Sequence, residues 1–255
     1  MTYATVRVYL AAVRFLHVSN GLGDPLAGKL QLDLLLKGVR KKKPGSKDTR
    51  LPITPLILDK LFGVLKAKPC TFESRMLWAA CCLGFFGFLR SGEFTSDSNT
   101  YDPSWHLSIQ DVTVDSISDL TILRVTLKGS KTDQVRKGTT IVVGKTGSHI
   151  CPVLAVLSYI ARRGFAPGPL FRHKDGTPLT RQHLVSKLRA ALSEAGIDCQ
   201  GFSGHSFRIG AATTAAAKGI PDSTIQTLGR WRSESFKRYI RLPNSELASV
   251  SAQLL

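Results

Sequence analysis

Between Met76 and Leu89 the chain reads MLWAACCLGFFGFL, fourteen residues without a charge. A helix that is apolar on every side must be enclosed on every side, so this segment demands a domain large enough to surround it. It is too short to cross a bilayer, which takes about 20 residues. GAATTAAA, residues 210–217, adds a second constraint, because its small side chains let neighbouring backbones come close. A chain of 255 residues with 43% hydrophobic content can build the core that both segments need. The five cysteines, at positions 70, 81, 82, 151 and 199, form no CxxC pair and read as reduced core residues of an intracellular protein. No secretory signal is visible over residues 1–10.

Around these segments the patterning is mostly helical. Val6, Leu10, Val13 and Leu16 predict a helix over 3–18, and Leu32, Leu35, Leu36 and Val39 a shorter one. KGVRKKKPGSKDTRLPIT then reads as a linker. Thr54 followed by Pro55 starts a further helix well, and the apolar run continues as a helix to about Leu89. IQDVTV, TILRVTL and TTIVVG, within 109–144, alternate β-branched and polar residues and predict a small three-stranded antiparallel sheet. Helices return from Val153 to Arg163, from a Thr180 cap to about Ala195, through 206–217, from Asp222 to Leu228 and from Ser233 to Arg241. The class is therefore mainly α with a small antiparallel β-sheet, α+β.

The charge balance bears on partners. There are 35 Lys and Arg against 18 Asp and Glu, a net charge of +17. Such an excess points to a polyanion, with a highly solvated surface as the plainer alternative. Residues 1–50 carry ten basic and three acidic side chains. For Arg40, Lys41, Lys42 and Lys43 a solvated loop, a nuclear-import signal and a phosphate-gripping strap all stay open.

Four local patterns could carry chemistry. In GHSFRIG, His205 and Arg208 lie one turn apart at a helix start, where free N–H groups and the positive dipole end suit an anion. Arg208 adds a fork that fits phosphate oxygens; taken alone, such a pair also fits capping. In FGFLRSGEF, Arg90 ends the apolar helix, with Glu93 in position either to orient it or to leave it in solvent. In LKGSKTDQVRKG, Lys131 sits near the tip of a basic hairpin, where it could reach a nucleic-acid groove; taken alone, it reads better as an ordinary turn lysine. In LGRWRSESFKRYIRL, Tyr239 stands one turn beyond Phe236 on the last helix. A free tyrosine is only about one part in a thousand ionised at neutral pH. It becomes a nucleophile where cations surround the reacting centre.

Arg, Lys, HxxR, Trp and Tyr, in that order and in these contexts, resemble the tyrosine recombinases of the phage-integrase family. The phrases LRSGEF, SKTDQ, GHSFRIGAATTAA, LGRW and YIR look most like the recombinases of DIRS-type and Ngaro-type retrotransposons. The resemblance implies a partial helical DNA-gripping domain over 1–43, a linker at 44–52 and a catalytic domain over 53–255. The arm is expected to be partial because a full one would bring more helices before Thr2.

By that resemblance Tyr239 attacks a DNA phosphodiester and forms a 3′-phosphotyrosyl link. Arg90 and Arg208 neutralise the non-bridging oxygens, His205 and Trp231 hydrogen-bond the phosphate, and Lys131 protonates the departing 5′-oxygen. Glu93 supports the site. Arg40, Lys41, Lys42, Lys43, Lys128, Arg136 and Arg230 are expected to contact DNA. No metal and no cofactor are expected, since cationic and donor groups replace the metal. The implied partners are double-stranded DNA and further copies of the chain, from dimer to tetramer on DNA, with no membrane. The implied location is the nucleus and the implied task integration of a mobile element. A topoisomerase IB-like relaxing enzyme and a DNA-binding protein that has lost catalysis are the alternatives.

Overall fold

The computed structural model describes residues 2–42, 48–67, 71–117, 120–129, 138–241 and 248. The chain divides into two compact units, Met1–Thr49 and Arg50–Leu255. In the first, α1 (Tyr3–Ser19) is capped by the Thr2 hydroxyl, and it and α2 (Leu30–Lys42) bury little. Of the stripe expected to face a core, Val13 and Leu16 are exposed, and Leu36 of α2 is the one buried residue of the two helices. A unit of this size has too little interior to enclose a helix face. The last turn of α2 carries Arg40, Lys41 and Lys42, all exposed.

The second unit holds the core. Thr54 Oγ1 accepts the Ile57 N–H at 3.3 Å and opens α3 (Pro55–Ala67). Thr71 caps α4 (Phe72–Phe86) in the same way, through the Ser74 N–H at 3.1 Å. Every residue of α4 from Met76 to Phe85 is buried, as a helix without a polar face requires. It is enclosed by α3, by α5 (Pro152–Arg163) and by α7 (Ser206–Ala217). On the far side of α3 lies α6 (Arg181–Glu194), capped by the Thr180 hydroxyl. The short α8 (Asp222–Leu228) and a 3₁₀ segment, Glu234–Tyr239, close over α7.

The sheet runs β1 (Val112–Ile117), β2 (Leu120–Leu127) and β3 (Thr139–Gly144) in that order, all antiparallel. Val125 pairs with Val112 on one side and Ile141 on the other. Leu123, Val125 and Leu127 turn one face inward, and Ile141 and Val143 join them from β3. That buried face packs on α5. Three boundaries depart from the sequence reading. Ile109–Asp111 is a 3₁₀ turn, because Ser108 and Asp111 cap each other and end the ladder. The apolar helix stops at Phe86, three residues short of Leu89, since Phe88 takes a left-handed φ of 51°. The last helix is 3₁₀ and ends on Tyr239.

The small side chains of α7 have a structural reason. Leu51 N–H donates to Gly201 O at 2.8 Å and Ile53 N–H to Ser206 O at 3.0 Å, so this segment is laced against the start of α7. A Cβ on Gly210 would overlap the Ile53 carbonyl, which is backbone and cannot swing aside. We expect Gly210→Ala to destabilise the protein by about 1–3 kcal/mol, read as a lower urea midpoint at unchanged slope. An unchanged midpoint would show that the contact is not limiting.

Candidate phosphate site

Four segments far apart in sequence meet at the start of α7. The first is the turn that ends α4. Left-handed backbone at Phe88 breaks the helix and sends the chain to Arg90, which is extended and precedes the 3₁₀ turn Ser91–Glu93. Glu93 then folds back on Arg90. Its Oε1 accepts from Arg90 Nη1 at 2.8 Å and its Oε2 from the Arg90 backbone N–H at 2.9 Å. The carboxylate is only 4% exposed, so this is an interior ion pair. Arg90 lies beyond the helix rather than at its end, and it is Glu93 that orients it.

The second segment is the first turn of α7. Ser203 N–H donates to Ser206 Oγ at 2.9 Å and Ser206 N–H to Ser203 O at 2.9 Å, a tight turn that starts the helix at His205. Gly204 is required there, because a Cβ would overlap the Ser91 hydroxyl. His205 is half-buried. Burial first, then the charges of Arg50, Arg181, Arg90 and Arg208, holds its imidazole below the usual histidine range. It is therefore neutral at pH 7, able to accept a proton at one nitrogen and donate from the other.

Arg208, one turn on, is fully buried at 0% exposure. Its Nη1 donates to Phe88 O at 2.5 Å and its Nη2 to Gly229 O. Its guanidinium carbon lies 4.0 Å from the centre of the Trp231 ring and 5.6 Å from that of Tyr239. Burial and the neighbouring Arg90 charge pull its pKa down, while Glu93 pushes it back up. Arginine starts so far above neutrality that the group stays charged.

The third and fourth segments follow α8. Arg230 adopts a left-handed φ of 55°, which turns Trp231 under the site. The Trp231 ring packs between Phe88, Phe236 and Tyr239, with centroids 6.5, 6.2 and 5.1 Å away. Thr213 Oγ1 donates to Tyr239 O at 3.1 Å and accepts the Arg241 N–H at 2.9 Å, anchoring the tyrosine's backbone to α7. Three buried donors of this cluster, Arg208 Nε, Trp231 Nε1 and Arg230 Nε, find no acceptor among the described residues. A buried N–H left so costs about 1–3 kcal/mol, which an anionic ligand would recover.

Arg90, His205, Arg208, Trp231, Tyr239 and Glu93 are thus brought together. Arg230 joins them, although its sequence context suggested only a DNA contact. Nothing local in the sequence marks it, because its partner Glu93 lies 137 residues away. Lys131, Lys43 and Arg136 lie outside the described residues. Lys128 is engaged internally, with Nζ 2.8 Å from Asp111 Oδ2 and 2.6 Å from Pro103 O. Elsewhere, Glu73, His173 and His183 bring ligand-type atoms within 4.8 Å of one another. Glu73 and His183 sit in the first turns of α4 and α6, at positive helix ends, and Lys187 Nζ is 3.9 Å from Glu73. That setting suits the 2.6 Å His183–Glu73 hydrogen bond better than a cation.

The profile of the phage integrase family matches residues 106–245. An integrase/recombinase xerD homolog of Selenomonas ruminantium is 28% identical over 170 residues, 64% of this chain and 46% of that protein. The chain therefore spans about half the length of that curated relative. Among solved structures, XerH site-specific recombinase bound to palindromic difH in a post-cleavage complex superposes with a TM-score of 0.60 at 18% identity. That match covers 96% of this chain and 69% of the other. A lambda integrase dimer bound to a COC′ core site gives 0.55 at 15% identity, covering 94% and 65%. The fold of the second unit is the tyrosine recombinase catalytic fold.

The depressed His205 pKa has a measurable consequence. Below about 6.5, the ordinary value, the unfolded chain binds the proton before the folded one does. Stability should therefore fall as pH drops from about 6.5 through the lower folded value. The His205 imidazole resonances should titrate with a midpoint below 6.5, and His205→Gln should flatten that part of the stability profile. A midpoint at or above the ordinary value would contradict the packing described.

Proposed function

The chain belongs to the phage integrase family, and on that premise we propose that it is a tyrosine recombinase acting on double-stranded DNA. The observation that carries the proposal is the charge of the buried cluster. Among the described residues, Arg90, Arg208 and Arg230 face one carboxylate, Glu93, which leaves two positive charges in excess beside three unpartnered donors. A phosphodiester carries one negative charge and gains a second as a phenolate adds to it. Catalysis of phosphoryl transfer is mainly positioning and charge stabilisation, and this cluster suits both.

In this reading the Tyr239 oxygen attacks phosphorus, the bond to the 5′-oxygen breaks, and the 3′-phosphate stays on the tyrosine. Neutral His205 accepts the phenol proton. Arg90 and Arg208 take the two non-bridging oxygens, and Trp231 Nε1 donates to the same phosphate. Lys131 returns a proton to the leaving 5′-oxygen. Attack by another strand's 5′-hydroxyl reverses the steps, so rejoining needs no nucleotide. Arg40, Lys41, Lys42, Lys43 and Arg136 serve as backbone contacts, and pairs of protomers act on paired duplexes. The phrases LRSGEF, SKTDQ and LGRW support a finer reading, integration of a retrotransposon of DIRS or Ngaro type, with the basic run at Arg40–Lys43 directing the protein to the nucleus. No helix among the described residues is long and apolar enough to cross a membrane.

A binder that had lost catalysis would have no need of a tyrosine held beside a buried arginine, so the enzymatic reading is favoured. Incubation with end-labelled nicked duplexes of randomised sequence should give a labelled band on a denaturing protein gel. Tyr239→Phe should abolish it. Arg208→Ala should slow its appearance about 10²–10³-fold, the usual effect of losing one aimed donor. Labelling that survives Tyr239→Phe would refute the proposed nucleophile.

A further inference from the structure

The buried cluster contains one arginine more than its phosphate contacts require, and the geometry assigns it a separate task. We propose that Arg230 is a positioning residue for the reaction proposed above: acting through Glu93, it holds the Arg90 guanidinium in place for the phosphate. The inference rests on that functional reading, but the arrangement behind it can be tested without any reaction.

Glu93 is shared. Its Oε1 takes Arg90 Nη1 and its Oε2 takes Arg230 Nη2, each at 2.8 Å. The same Oε2 also accepts the Arg90 backbone N–H at 2.9 Å. A carboxylate bound on one side only could rotate about its last torsion and carry Arg90 with it. With a guanidinium fixed on each oxygen, that rotation breaks two charge-assisted hydrogen bonds at once, which are about twice as strong as neutral ones.

Arg230 is itself held at every terminal N–H. Nη1 donates to Gly87 O at 3.2 Å and Leu228 O at 3.3 Å, and Nη2 donates to Phe88 O at 3.4 Å besides Glu93. No terminal N–H of Arg230 is left over for a ligand. Arg90 differs, since Glu93 takes only its Nη1 among the described residues. Arg208 has protein acceptors for one hydrogen on each terminal nitrogen. The terminal nitrogens therefore divide the work: those of Arg90 and Arg208 retain donors for an anion, and those of Arg230 brace the carboxylate that aims its neighbour, while the Arg230 Nε is buried without an acceptor among the described residues.

The backbone points the same way. Phe88 and Arg230 are the two non-glycine residues with positive φ among the described residues, at 51° and 55°. Left-handed backbone is unfavourable for both side chains and persists where surrounding contacts over-determine it, typically at functional sites. Here the two meet, because Phe88 O accepts from both Arg208 and Arg230. A lysine at 230 would keep the charge beside Glu93 but could not reach one carboxylate and three carbonyls with a single ammonium.

The test uses Arg230→Gln, Arg230→Lys, Glu93→Gln and the Arg230→Gln/Glu93→Gln double variant of the full chain. The first readout is side-chain ¹⁵N NMR of the free protein, following the Arg90 Nε–H. Its heteronuclear NOE should fall in Arg230→Gln and in Glu93→Gln to the level of exposed arginines. If Arg90 stays as ordered as in the wild type, the proposal is overturned. Should Arg230→Gln not fold, Arg230→Lys carries the same measurement, because it leaves Glu93 a charge partner and removes only the bracing. The second readout is single-turnover formation of the tyrosyl adduct at saturating DNA. Arg230→Gln should slow it about 10²-fold, and the double variant should be no slower than the worse single one. Multiplying effects would contradict action through a shared path. A wild-type protein that forms no adduct would defeat the functional reading, while the Arg90 measurement would still decide this one.

Discussion

Placing the charge of Arg208 in the interior is the constraint around which the site is arranged. A guanidinium at 0% exposure needs acceptors and company. Phe88 and Gly229 supply carbonyls and Trp231 supplies a ring face. Each supplier has its own requirement. Phe88 must leave the α4 helix in a left-handed conformation, Gly229 must lack a side chain because a Cβ would overlap the Trp231 ring, and α7 must be slim enough to lie against Ile53. The buried apolar helix, the small-sided helix and the strained turns are thus parts of one arrangement.

The proposed role of that arrangement is to receive an anion. The protein could have offset a buried arginine with its own carboxylate, as it does at Arg90 with Glu93. Around Arg208 it uses neutral carbonyls and, among the described residues, leaves Nε, and Trp231 Nε1 beside it, without acceptors. Preorganised donors around an incomplete charge balance are the usual form of electrostatic catalysis, because they need no reorganisation when charge develops. His205, neutral through burial and repulsion, adds a proton acceptor without adding to the positive charge.

Much of this was legible in the sequence, and the rest was hidden for definite reasons. The charge-free run, the Thr54 and Thr180 caps and the alternation in TILRVTL and TTIVVG report local physics and appear as α4, α3, α6, β2 and β3. Arg90, His205, Arg208, Trp231 and Tyr239 could be named because their order and contexts matched a family. What could not be read was tertiary. The carbonyl of Phe88 is held by Arg208, 120 residues away. Just before it, Gly87, the C-cap of α4, is a local stop signal that the apolar run on either side masked. Arg230 is tied to Glu93 by folding alone. The apolar stripe of α1 made a helix without a buried face, because periodicity specifies a surface and not what covers it. The turn at Ile109–Asp111 did carry a signal, the Ser108 and Asp111 pair at capping spacing, which the β-branched run beyond it masked.

The central claim is that the Arg90–Arg208–Trp231 cluster is built to hold a tetrahedral oxyanion. Anomalous diffraction from crystals soaked in tungstate measures this directly. The account predicts one dominant tungsten peak within hydrogen-bonding distance of Arg90, Arg208 and Trp231 Nε1, lost in Arg208→Ala. Tungstate on the exposed basic residues of α2 alone, with none at the cluster, would contradict it.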